Sequence, residues 1–338
     1  MSPWLLIPLV LAGLALLGAT YQALGARADR RRFPPPGRMI EIGGRRLHVL
    51  EAGAGVPTVV FEAALGASAI SWCQVQPQIA NLTRTFAYDR AGMGFSESGP
   101  MPRTAQRIVD ELHALLAAAN VPKPYLLVGH SYGGMTARLY AHQHPGDVVG
   151  LVLLDPAHPQ EWLKRTREQR RKLWAGAMLA RRGAWIARLG LARATAALAR
   201  RGARRSARAV AVTVSGGILA GRAERIIAPI DRVLPELRPA LAAIWTQPKF
   251  YLCLASQIEH MPQSAEQVAG AAIAADLPLV VLSADSLSAH ELEQHREVAA
   301  SSSRGRHQVV YASGHWIQLD QPEAVVKAIA ALIDEIRG

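Results

Sequence analysis

The chain has 338 residues, half of them hydrophobic, with a formal net charge of +12. That length holds one large α/β domain with an insertion or two ordinary domains, and the apolar content supplies a sizeable core. Two cysteines, Cys73 and Cys253, make no disulfide framework and no cysteine-built metal site.

From residue 4 to 24 there is no charge, and residues 5–17 are almost wholly Leu, Ile, Val, Ala and Gly. Roughly 20 such residues span a bilayer as a helix. A signal peptide is the competing reading, but it calls for basic residues before a shorter apolar core. Here the basic residues follow instead, at Arg27, Arg30, Arg31 and Arg32. Residues 1–24 are therefore expected as an uncleaved, single-pass membrane anchor. The positive-inside rule then puts the body of the protein on the cytoplasmic side. Residues 25–37, basic and then rich in proline, are expected as a linker.

A hairpin is expected over 39–51, with Gly43-Gly44 supplying positive φ in its turn. Strands follow at 58–61 and 85–88, and helices at 72–80 and 105–119. The apolar run 125–128 leads into Gly129-His130-Ser131-Tyr132-Gly133. Helical spacing resumes over 134–140 and stops near Pro145. A serine held in a strand-to-helix elbow has its hydroxyl exposed at the end of the sheet, and the helix N-terminus behind it offers free N–H groups to an oxyanion. The bland alternative is a Gly-rich turn with a capping serine.

A further buried strand is expected at 148–154. Beyond Pro156 the pattern becomes Ala- and Arg-rich helix until about Pro262. Its stretch 164–208 carries Glu168 as its only acid among many Lys and Arg residues, including Arg181-Arg182, Arg188, Arg193, Arg200-Arg201 and Arg204-Arg205. Long arginine stems over apolar residues make either a solvated helical face or a surface for an anionic membrane. No nucleic-acid-binding module accompanies the charge. Alternation then returns, with strands at 279–282 and 308–311 and helices at 291–299 and 322–336. Repeated βα units with near-continuous apolar strands indicate a mostly parallel sheet covered on both faces. The helical block at about 157–262 interrupts that sheet as a cap over its C-terminal strand ends.

Over about residues 38–338, apart from the cap, the chain resembles the α/β-hydrolase superfamily. The motifs are Phe61-Glu62-Ala63-Ala64-Leu65-Gly66-Ala67-Ser68, then Tyr88-Asp89-Arg90-Ala91-Gly92-Met93-Gly94-Phe95-Ser96. The serine elbow comes next, and Gly314-His315-Trp316 with Asp320-Gln321-Pro322-Glu323 is last. The resemblance implies an α/β-hydrolase fold and a Ser-His-acid triad, with Ser131 as nucleophile and His315 as base. Imidazole is needed because a serine hydroxyl is too weakly acidic to attack a carbonyl alone. His158 and His260 have no motif around them, and His130 is expected to face the packing side of the elbow.

For the acid the resemblance offers two positions. Asp155 follows the strand at 148–154, and Asp285 follows the strand at 279–282. The usual register after that later strand falls on Leu287, which cannot serve, so Asp155 is placed first and Asp285 stays open. The oxyanion hole is expected from the backbone N–H groups of Tyr132 and Leu65, although the family often has His-Gly where this chain has Ala63-Ala64. Asp89 and Arg90 are expected to tie down a loop.

Two functional classes follow. The first is a membrane-anchored serine hydrolase acting on a small acyl substrate, an ester above all and lipid-like where the anchor decides. The same triad also serves amide cleavage, carbon–carbon hydrolysis and cofactor-free peroxidation. Haloalkane dehalogenation is disfavoured because it uses Asp at the elbow. The second class is a non-catalytic scaffold binding lipid, a small ligand or a partner. No motif calls for a cofactor or a metal, and no nucleic-acid partner is expected.

Overall fold

The computed structural model describes residues 3–163, 166–200 and 231–338. Residues 164–165 and 201–208 of the basic stretch lie outside these, as does Met1-Ser2.

Helix α1 (Pro3–Arg32) opens the chain. Residues 25–32, expected as linker, continue this helix because Ala and Arg favour it and the arginines at its end suit the helix dipole. Pro34-Pro35-Pro36 ends it. Strands β1 (Arg38–Ile42) and β2 (Arg45–Ala52) form the expected hairpin, closed by Gly43 and Gly44 at φ 53° and 79°. Strand β3 (Thr58–Glu62) follows. Where one helix was expected over 72–80, a 3₁₀ turn (Ala69–Trp72) is followed by α2 (Gln76–Ile79), because Pro77 in the first turn restarts the helix.

The chain continues through β4 (Thr85–Tyr88), α3 (Ala105–Ala118), β5 (Tyr125–His130), α4 (Tyr132–Gln143) and β6 (Val148–Leu154). Among the described residues, six helices then intervene: α5 (Gln160–Leu163), α6 (Arg167–Arg188), α7 (Leu191–Arg200), α8 (Arg238–Ile244), α9 (Pro248–Glu259) and α10 (Met261–Ala269). The sheet resumes with β7 (Leu279–Ala284), α11 (Ala289–Ala300) and β8 (Gly305–Val310). Two helices close the chain, α12 (Ile317–Asp320) and α13 (Pro322–Arg337). Strand β8 begins earlier than expected because it is an edge strand, and its exposed alternate residues hide it from an apolar-run reading.

The eight strands form one sheet in the order β1-β2-β4-β3-β5-β6-β7-β8. Strand β2 is antiparallel to β1 and β4, and every other neighbouring pair is parallel. Period-2 alternation splits the central strands between two cores. In β6, Leu151 and Leu153 pack with Met135, Tyr140 and Leu112 of α4 and α3, whereas Val152 and Leu154 pack with Ile329, Leu332 and Ile333 of α13. This is the alpha/beta hydrolase fold, a mostly parallel sheet flanked by helices and carrying a helical insertion between β6 and β7.

The insertion is fastened to the body beside the loops that follow β3 and β8. Val233, Leu241 and Ile244 cluster with Ile70 and Leu319, with Trp316 packed against them. Cys253 of α9 lies against Gly92, where a Cβ would stand 2.8 Å from the cysteine Cβ. Burial pushes the Cys253 thiol up to about 11, which keeps it protonated and inert.

Candidate active site

Three strand ends converge on Ser131. Its own strand, β5, is paired on one side with β3 and on the other with β6, all parallel, so their C-terminal ends open at one edge. Ser131 sits between β5 and α4 with φ 55° and ψ −117°, a left-handed backbone that a residue bearing a Cβ rarely adopts. The elbow is held by its own backbone. Ser131 N–H donates to Leu154 O at 2.9 Å, and the Ser131 carbonyl accepts from Gly134 and Ala157 at 2.9 and 3.1 Å. Gly133 allows the close approach of the β3 loop, since a Cβ there would stand 2.3 Å from Glu62 O and 2.7 Å from Ala63 O. Tyr132, at the start of α4, and the turn containing Leu65 are thereby drawn together. The first helical amides of α4 have no acceptor within their own helix.

His315 follows β8 through a loop and keeps 38% of its side chain exposed. Its Nδ1 lies 2.6 Å from Asp155 Oδ2. An ionised carboxylate only accepts, so Nδ1 carries the proton and Nε2 is the basic nitrogen. Asp155 itself is buried and has φ 43°. Its N–H donates to Leu282 O at 2.7 Å, and its Oδ1 accepts from Ala284 N–H at 3.3 Å, so the edge of β7 fixes the carboxylate.

Asp285 is not brought to His315. Its carboxylate accepts the N–H of Ala312 at 2.8 Å and approaches that of Ser313 at 3.4 Å, which braces the loop leading to Gly314-His315. Asp320 does the same for Gly314 N–H at 2.8 Å.

His130 turns out to be more than packing. It is fully buried, with its ring 4.7 Å from that of His315 and 4.9 Å from that of Trp316. Its Nε2–H donates to the His315 carbonyl at 2.7 Å, and its Nδ1 accepts from Gln318 Nε2 at 3.0 Å. Burial, with His315 close by, drives its pKa well below the usual histidine range, so it stays neutral. The residue before Ser131 thus holds the backbone of His315.

Glu62, also fully buried, sits under the β3 loop. It pairs with Arg90, is hydrogen-bonded to Tyr88, and accepts from Thr136 Oγ1 at 3.1 Å. Arg90 in turn donates to Ala63 O at 2.6 Å and to Ala64 O at 3.3 Å. Asp89 accepts the N–H of Ala69 at 2.8 Å and of Phe95 at 2.9 Å, and its Oδ2 meets His48 Nδ1 at 2.8 Å. These charges hold the Ala63–Ala64 segment from behind. An acid closing an otherwise apolar strand was the one sequence signal that could have pointed to Glu62. Nothing in the sequence pointed to Gln318 or to the role of His130.

Among the described residues, one group of potential metal-ligating side chains, His113, His144 and Asp147, has its ligand atoms within 4.8 Å of one another. The two imidazoles are stacked face to face, 4.0 Å apart and inclined by 5°, so their in-plane lone pairs run side by side instead of converging on one ion. Asp147 is also paired with Lys123 at 2.6 Å. The group does not fit a metal.

A family model for the alpha/beta hydrolase fold matches residues 57–322. An uncharacterised Bacillus subtilis protein, YqjL, is 45% identical over 105 residues, 31% of this chain and 42% of its own. A haloalkane dehalogenase of Sphingobium indicum is 32% identical over 130 residues, 37% and 44% of the two chains. The chain spans less than half the length of these curated relatives. Among solved structures, a thermophilic esterase from Thermogutta terrifontis superposes with a TM-score of 0.62 at 18% identity, covering 89% of this chain and 99% of its own. The epoxide hydrolase CorEH does so with a TM-score of 0.63 at 16% identity, covering 88% and 98%. At such identities the likeness is one of fold.

Proposed function

The chain belongs to the alpha/beta hydrolase fold family, and from that premise we propose that it is a membrane-anchored serine hydrolase that cleaves carboxylic esters through an acyl-enzyme. The observation that carries this reading is the His315–Asp155 contact of 2.6 Å, tied through His130 to the elbow that presents Ser131. A serine at the elbow supports acyl transfer over dehalogenation, which uses aspartate there.

In the proposed reaction His315 Nε2 takes the Ser131 hydroxyl proton as Oγ attacks the acyl carbon. The backbone N–H groups of Tyr132 and Leu65 stabilise the resulting oxyanion, a contribution of about 3 kcal/mol per donor. The carbon–oxygen bond to the alcohol then breaks and the alcohol leaves with the proton from His315. Water repeats the attack with His315 as base, releasing the acid and restoring Ser131. Asp155 orients His315 and stabilises its cation.

The anchoring part of the reading rests on α1. Its stretch Ile7–Arg32 is long and apolar enough to cross a bilayer, and its apolar part is almost wholly exposed. The arginines that follow the apolar run support a cytoplasmic body. An anchored enzyme suits apolar acyl esters. A chain-length series of p-nitrophenyl esters tests this, with Ser131→Ala as the blank. Turnover that depends on Ser131 and rises from short to medium or long chains is expected, and turnover equal in both proteins would contradict it.

A further inference from the structure

Two glycines fix where α1 crosses the helical insertion. A Cβ on Gly18 would stand 2.4 Å from the Leu189 carbonyl oxygen, and one on Gly190 would stand 2.7 Å from the Gly18 carbonyl oxygen. The turn between α6 and α7 therefore lies directly on α1. One helical turn on, Gln22 Oε1 accepts from Arg193 Nε at 3.1 Å, and Gln22 Nε2 donates to Thr246 O at 3.0 Å. Arg193, buried, also pairs with Asp29 at 2.6 Å and donates to Thr246 Oγ1 at 3.1 Å. The anchor helix is thus a strut of the insertion, packed against it at Gly18 and bonded to it through Gln22 and Asp29.

The other surfaces at this crossing are apolar and uncovered. Leu16 and Leu17 are each 69% exposed, and Trp185 on α6 is 62% exposed. Leu189 and Leu191, also exposed, flank the turn itself. Trp185 and Leu189 share an open groove with Ala15, Leu16 and Ala19 of α1. Arg188 stacks on the Trp185 ring at 5.0 Å, and Arg27 and Arg30–Arg32 crowd the end of α1.

Depth follows from helix geometry. If the uncharged stretch 4–24 crosses the hydrocarbon core, Gly18 lies six residues inside its inner boundary, about 9 Å at 1.5 Å per residue. The turn packed against Gly18 must go in with it. That depth is the depth to which interfacial helices bury an apolar face, about 5–10 Å.

We propose that the α6–α7 turn is inserted into an anionic lipid leaflet beside α1, with Trp185, Leu189 and Leu191 among the acyl chains and Arg188 at the phosphates. The charge of this face selects an anionic leaflet over a neutral one. The inference rests on the membrane-anchored reading of α1 and is independent of the esterase reading. An insertion held this way meets lipid at one corner, which places the enzyme's cap within reach of esters dissolved in the bilayer.

The test uses the full chain reconstituted in phosphatidylcholine–phosphatidylglycerol vesicles whose acyl chains carry bromine, a contact quencher of indole fluorescence. Trp185→Phe, a conservative change at an exposed position, isolates the contribution of that one tryptophan. The wild type should float with the vesicles and lose a share of emission that Trp185→Phe no longer loses. That difference should shrink in phosphatidylcholine alone. Flotation with identical quenching in the two proteins overturns the proposal while leaving the anchor intact. Failure to float overturns both, and fluorophosphonate labelling of Ser131 in the same samples reports on the hydrolase reading separately.

Discussion

Asp155 and His315, 160 residues apart in the chain, meet at 2.6 Å because β6 and β8 flank β7 in one parallel sheet. Asp285, much nearer to His315 in sequence, is engaged with the amides of Ala312 and Ser313 instead. Asp155→Asn should therefore lower kcat by about 10⁴-fold, as expected when the base loses its orienting carboxylate. Asp285→Asn keeps an oxygen that accepts from the same amides, so its loss should stay below about 10-fold. Steady-state ester turnover of the two variants checks this, and equal losses would mean that Asp155 is not the acid.

His130 gives a second test through the backbone of His315. His130→Phe removes the donor to the His315 carbonyl and strands Gln318 beside it. A small displacement of a catalytic group costs up to about 10²-fold in rate. We expect kcat to fall by roughly 10–10²-fold with KM little changed, because His130 is fully buried and acts through the His315 backbone. A matched loss in kcat and rise in KM would show a general distortion of the pocket.

Glu62→Gln should act on stability first. Glu62 and Arg90 are both buried, and removing the carboxylate leaves the guanidinium charge uncompensated, a destabilisation of about 3–5 kcal/mol. The Ala63–Ala64 segment loses its brace at the same time, so kcat should fall in whatever fraction remains folded. Denaturant unfolding measures the first effect, and an unchanged midpoint would contradict it.

The His48–Asp89 pair sets a pH dependence. Burial opposes the charge on His48, but the Asp89 carboxylate and the Pro36 carbonyl outweigh it, and its pKa is raised. Burial likewise works against ionised Asp89, yet the His48 bond and charge and the amides of Ala69 and Phe95 hold its pKa below the usual range. Stability from His48 is fully present below the unfolded value of about 6.5 and is lost as pH rises through the raised folded value. Stability from Asp89 is present above about pH 4 and is lost as pH falls through its lowered folded value. Melting temperatures at pH 6 and pH 9 should drop more for the wild type than for His48→Gln. Parallel drops would exclude the pair as the cause.

Much of this was legible in the sequence because it is local. The Ser131 elbow is written in one uninterrupted run, residues 125–140, as an apolar strand, a glycine-framed turn and a helix. The hairpin turn at Gly43-Gly44 and the parallel strands were readable for the same reason. The acid was not, since two aspartates each follow a strand and only the sheet order decides which one faces His315. The contacts of His130 with His315 and of Glu62 with Arg90 join residues far apart in sequence, and no spacing rule reaches them. The apolar content of α1 was plain, but its crossing of the insertion at Gly18 is a property of packing that no sequence pattern carries.

The central claim is that Ser131 is an activated nucleophile, and a fluorophosphonate probe addresses it most directly, because the probe bonds to a serine only where an activating base and an oxyanion site accompany it. The full chain should be labelled stoichiometrically, Ser131→Ala not at all, and Asp155→Asn far more slowly than wild type. A wild type that resists labelling, or a Ser131→Ala protein labelled as well as wild type, would contradict the account.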